Sequence, residues 1–183
     1  IAFFLSSAFI ASTATYALTT KASPVDRPAR AVGLAPQCGA GVPALADPAC
    51  RSAPNPTTLI WGDSFAMHVV PGAQATLSGG VLQATKTYCG PFLDLAPIGA
   101  ALYPHRWGRD CNAFNRAVLE QLDREPQVEI VLLSSSLLQY LPGTGESFQL
   151  LQAEGGGDRT LAPSENLLIA ALKRTVGELR RRG

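Results

Sequence analysis

The chain is poor in charge, histidine and cysteine, and each shortage removes a class of function. Charged residues make up 16% of its 183 positions, fifteen basic against fourteen acidic, for a formal net charge of +1. Such a balance builds no strong basic field, so nucleic acid is not an expected partner. Two histidines and four cysteines without a Cys-x-x-Cys pair leave no zinc motif, and no metal or other cofactor is expected. Four cysteines are also too few for a miniprotein built on disulfides. What is plentiful is apolar side chain, 46% of the residues, which in a chain of this length allows a packed core and excludes global disorder.

Residues 1–18, IAFFLSSAFIASTATYAL, carry no charge. A bilayer-crossing helix needs about 20 apolar residues, so three readings compete: the outer part of a transmembrane helix, the apolar region of a signal peptide with Ala14 or Ala17 near its cleavage point, or a buried core helix. The expected layout is a transmembrane helix over residues 1–20, the end of a longer membrane domain. Lys21, Arg27 and Arg30 follow, and the positive-inside rule would put them on the cytoplasmic side. The cysteines argue for the other side and weigh more, because Asp26 dilutes the basic cluster. Residues 21–56 hold seven of the fourteen prolines and no sustained periodicity, as a linker would.

The pattern then changes. Residues 57–61 form a β-rich run that ends in Gly62-Asp63-Ser64. A helix is expected from Ser64 towards Leu77, kinked at Pro71, then a strand over residues 81–88. Asp110 is a plausible N-cap for a helix presenting Phe114, Val118 and Leu122. Residues 128–134, VEIVLLS, read as a strand buried in a parallel sheet, and residues 143–157 as a loose, glycine-rich loop. Pro163-Ser164-Glu165 opens a last helix with Leu168, Leu172, Val176 and Leu179 on one face, and Arg180 to Arg182 suit its negative end. The order β-α-β-α-β-α predicts a parallel sheet between helices, with ligands at the carboxyl ends of the strands. Three strands are few for such a sheet, and it reads as unfinished.

Chemistry concentrates in Trp61-Gly62-Asp63-Ser64. A serine on the turn from strand into helix holds its hydroxyl at the strand's carboxyl end, and its own N–H can stabilise an oxyanion there. Gly62 permits the turn and Asp63 can bond to its backbone groups. With Ala66, His68, Pro71 and Gly72, this segment resembles the first block of the SGNH (GDSL-type) hydrolases, in particular the SGNH domain fused behind acyltransferase-3 membrane proteins. Cys89-Gly90-Pro91, Cys111-Asn112-Ala113-Phe114-Asn115 and residues 131–140 follow in the order that family shows. The resemblance implies a three-layer α/β/α, flavodoxin-like parallel sheet over residues 57–183, incomplete at its C-terminus, behind an extracytoplasmic linker. It implies a serine nucleophile, Ser64, that transfers acyl groups, commonly acetyl, to cell-surface polysaccharide. The acyl donor would come from a membrane acyltransferase domain and the acceptor would be carbohydrate, on the periplasmic side of the inner membrane. A secreted esterase and a non-catalytic glycan-binding module are the alternatives.

Two positions depart from the family pattern, Phe65 where histidine is usual and Leu137 where tryptophan is common. The family's base and orienting carboxylate lie in an Asp-x-x-His block, and neither His68 nor His105 stands three residues after an aspartate. The base and carboxylate are thus absent from this chain, and a serine at its free pKa needs a base. His68 reads as a packing or orienting residue and His105 as an exposed loop residue, in a stretch (Tyr103 to Trp107) able to contact a sugar. The family also implies two further oxyanion donors. Gly90 is a candidate for one, and Asn112 and Asn115 read as helix-start residues. Proximity pairs Cys38 with Cys50 and Cys89 with Cys111, although four cysteines allow three connectivities.

Overall fold

A computed structural model describes residues 33–99, 102–143 and 148–182. The expected membrane helix over residues 1–20 lies outside the described residues, as does the linker before Gly33. Among the described residues, no helix is long and apolar enough to cross a membrane.

Three parallel strands form the central sheet. β1 (Thr58–Gly62) lies between β2 (Val81–Thr85) and β4 (Ile130–Ser134), with Thr58 level with Val81 and Ile130 at one end and Gly62 level with Thr85 and Ser134 at the other. β1 and β2 are wholly buried, whereas β4, expected to be buried from its apolar run, is exposed at Ile130 and only half-buried beyond it. Side chains alternate between the two faces of the sheet. Leu59 and Trp61 join Leu82, Ala84, Phe114 and Val118 on one side, while Ile60 joins Ala66, Val70, Ala73 and Val81 on the other. The first side is closed by α3 (His105–Leu122) and the second by α2 (Ser64–Thr76). Mixed α/β architecture with a parallel sheet is therefore the fold class, as expected.

Three expectations needed correction. Residues 143–157 are not simply a loose loop, because β5 (Gln149–Glu154) and β6 (Gly157–Leu161) form a hairpin there. Its two-residue turn, Gly155-Gly156, has φ of +55° and +93°, the left-handed pair that a tight hairpin demands. β5 pairs antiparallel with β3 (Leu95–Ile98), making a second three-stranded sheet. α3 begins at His105 after Pro104, not at Asp110, so Asn112 and Asn115 sit buried within the helix and not at its start. Residues 33–56, expected as a linker, are packed on the sheet. The disulfide Cys38–Cys50 clips them, the one-turn helix α1 (Val42–Leu45) buries Leu45 in the main core, and Arg51 pairs with Glu125 at 2.6 Å.

The last helix, α4 (Glu165–Arg182), buries Leu168, Ala171 and Thr175. The Thr175 hydroxyl accepts the Leu93 N–H at 3.0 Å and ties this helix to the turn before β3.

Candidate active site

β1 and α2 meet without a spacer beyond Asp63. A Cβ on Gly62 would stand 1.8 Å from the Ser134 carbonyl oxygen of β4, so only glycine lets the strands approach at this point. Asp63 is the N-cap of α2, and its Oδ1 accepts the Phe65 N–H at 2.8 Å. Its other oxygen reaches across to the segment after β4. There it accepts the Ser135 hydroxyl at 2.7 Å, the Ser136 N–H at 2.9 Å and, more distantly, the Gln139 amide at 3.4 Å. A buried carboxylate thus staples the carboxyl ends of two neighbouring strands.

Ser64 is the first residue of α2 and half-buried. Its hydroxyl makes no hydrogen bond among the described residues, and its N–H, in the first turn, has no intrahelical acceptor. Both face a cleft of about 170 Å³ lined by Asp63, Phe65, Tyr88, Ser136, Gln139 and Phe148. Nucleophile and free N–H at the positive end of a 13-residue helix are the elements of acyl chemistry.

The segment that follows Tyr88 is fixed by buried hydrogen bonds. Trp61 Nε1 donates to Asn115 Oδ1 at 2.9 Å, and Asn115 Nδ2 donates to the carbonyls of Gly90 and Phe92 at 2.9 and 3.1 Å. Cys89 is joined to Cys111 one helical turn before Asn115, with Cα atoms 5.6 Å apart. Asn115 therefore positions the Gly90–Pro91–Phe92 segment. The Gly90 N–H donates to the Tyr140 hydroxyl at 3.0 Å, and the Tyr140 ring packs edge-on to Phe92 with centroids 4.7 Å apart. Gly90, expected as an oxyanion donor, thus has its N–H engaged by Tyr140 and not offered to the cleft. Burial, with the Asp63 charge nearby, pushes the Tyr140 phenol far up despite the Gly90 N–H, so it stays protonated.

His68 and His105 are both exposed, neither lines the cleft, and neither is hydrogen-bonded to Ser64. All four cysteines are in the two disulfides, paired 38–50 and 89–111. Sequence reasoning missed Ser135, Ser136 and Gln139 as site residues, although a polar run just past a strand adjoining β1 marks the ligand end of a parallel sheet. Tyr88 and Phe148 were missed too, and they come from segments 60 residues apart with no shared local pattern.

A family model described as "SGNH domain (fused to AT3 domains)" matches residues 37–183. No curated protein matches the chain, and no solved structure does. The start of the match at residue 37 agrees with a fold that already includes the segment clipped by Cys38–Cys50.

Proposed function

The chain belongs to the family of SGNH domains fused to AT3 domains, and from that premise we propose that Ser64 carries an acyl group to a carbohydrate hydroxyl on the cell surface. The observation that carries this reading is the unpartnered Ser64 hydroxyl beside its own free N–H at the start of α2. Ser64 Oγ attacks the donor's carbonyl carbon as its proton passes to a general base. The tetrahedral oxyanion is held by the Ser64 N–H and by the Gln139 side-chain amide, which is buried and lines the same cleft. The leaving group departs with a proton, and an acceptor hydroxyl then attacks the acyl-serine and regenerates Ser64.

Chemistry requires a base, and no histidine lines this cleft among the described residues. The size of the cleft favours a short acyl group such as acetyl. A cavity of about 150 Å³ is known to be filled by a molecule the size of benzene, so an acetyl group has room here. Two disulfides that consume every cysteine support an oxidising compartment, with the donor delivered by the membrane acyltransferase domain of such fusions.

The test is Ser64→Ala in the native polypeptide, read as O-acetyl content of the cell-surface polysaccharide. The proposal expects that content to vanish while protein abundance holds. Wild-type acetylation in the variant would end it.

A further inference from the structure

Next to Ser64, aromatic side chains from separate segments gather into one surface. The Tyr88 ring lies 4.4 Å from that of Tyr103, centroid to centroid and tilted by 32°, and 6.2 Å from that of Phe148. Tyr103 and Phe148 are 6.3 Å apart and tilted by 41°, so Tyr88 overlaps Tyr103 in a tilted, offset stack while Phe148 stands beside both. All three are half-buried, and Tyr88 and Phe148 also line the Ser64 cleft. Trp107 extends the cluster with its ring edge-on to Tyr103 at 5.0 Å, and the Lys86 ammonium rests 5.6 Å from the Trp107 centroid. A packed core would have drawn these rings inward.

Tyr88 is held there against its own backbone preference. Its φ is +59°, a left-handed conformation that non-glycine residues rarely adopt. The next residue, Cys89, is fixed by its disulfide to Cys111. Strain of this kind concentrates where a side chain must be aimed.

We infer that Tyr88 and Phe148, with Tyr103 packed on Tyr88, seat a pyranose ring of the acceptor, with one of its hydroxyls directed into the Ser64 cleft. The inference rests on the acyl-transfer reading above and names the ligand's position. A saturated sugar ring offers an apolar C–H face to aromatic rings and a rim of hydroxyls to its surroundings. Tyrosine matches that division, with an apolar body and a polar tip. The cleft itself is left for the acyl group, and the acceptor arrives from the aromatic side.

The experiment is NMR of the full chain with cellohexaose, chitohexaose and, as an acyl-chain control, sodium octanoate. The expected result is perturbation of the Tyr88, Tyr103 and Phe148 ring protons by at least one oligosaccharide. Affinity should fall at least tenfold in Phe148→Ala and in Tyr88→Asn, the latter chosen because asparagine tolerates the left-handed backbone, and it should persist in Ser64→Ala. The inference is overturned if neither oligosaccharide perturbs these rings, if octanoate alone does, or if both folded variants bind like wild type. Should a variant fail to fold, the wild-type ring shifts decide. Failure of the transfer reading looks different, with ring shifts intact and no acyl group ever found on Ser64.

Discussion

β1 and β4 run side by side through five parallel rungs, yet every residue of β1 is buried and none of β4 is. Ile130 on β4 is 44% exposed, and just past the strand Leu137 and Leu138 are 45% and 63% exposed. The β1–β2 side is held by the Trp61–Asn115–Gly90 chain of hydrogen bonds and by both disulfides. On the β4 side, Asp63 makes the tie through Ser135, Ser136 and Gln139. The difference separates two tasks. One side of the sheet fixes where the nucleophile stands, and the other presents it, with its hydroxyl unpartnered, to whatever completes the reaction.

Substitutions can break that comparison, the largest effect first. Ser64→Ala should lower acyl transfer by about 10³-fold or more while leaving the melting temperature unchanged. An equal fall in melting temperature would mean that Ser64 is a structural residue. Removing Cys89–Cys111 should destabilise by about 3.4 kcal/mol and removing Cys38–Cys50 by about 2.8 kcal/mol, from the lengths of the loops they close. Urea titration measures both, and only the first should also impair transfer, because Cys89 borders the cleft wall. Gln139→Leu should reduce kcat by about 10²-fold with little change in KM, as loss of an oxyanion donor does. In steady-state kinetics, a rise in KM alone would assign Gln139 to substrate binding.

Smaller effects sharpen the contrast between the strands. Leu82→Ala on buried β2 should cost about 3 kcal/mol, and Leu132→Ala on half-exposed β4 about half of that. Equal losses by denaturant unfolding would show that β4 is as well packed as its neighbours. Glu125 offers a pH test. Burial alone would raise its carboxyl pKa, but hydrogen bonds from Arg51, Gln127 and Gln121 outweigh that and hold it below 4.5. A depressed folded value means that the contribution is complete above the ordinary carboxylate range and lost as pH falls through the folded pKa. The stability difference between wild type and Glu125→Gln should therefore be constant near neutrality and shrink below about pH 4.

Much of the parallel half was legible because its signals are local. The apolar run of residues 128–134 predicts a strand of the parallel sheet, though not how exposed it stands, and Gly62-Asp63-Ser64 predicts a turn into a helix N-terminus. The antiparallel half was hidden by its glycines: Gly155-Gly156 marks a hairpin as readily as a loop, and only the pairing of β5 with β3 decides. The segment clipped by Cys38–Cys50 was misread for a related reason. Its prolines exclude long helices and strands, but they do not prevent short turns from packing once a disulfide closes them. Asn115 could not be read as a positioning residue, since its partners Trp61, Gly90 and Phe92 lie 23 to 54 positions away. The aromatic cluster of Tyr88, Tyr103 and Phe148 likewise draws on residues far apart in sequence, and no periodicity announces it.

The most direct test of the account is to trap the acyl-serine. The native polypeptide would be mixed with p-nitrophenyl acetate, quenched in acid within the first turnover and digested for mass spectrometry. The account predicts a single acetyl group on the peptide that contains Ser64, absent from Ser64→Ala and discharged when carbohydrate acceptor is added before the quench. An unmodified Ser64 peptide, or acetyl groups scattered over lysines at the rate of the free amines, would contradict it.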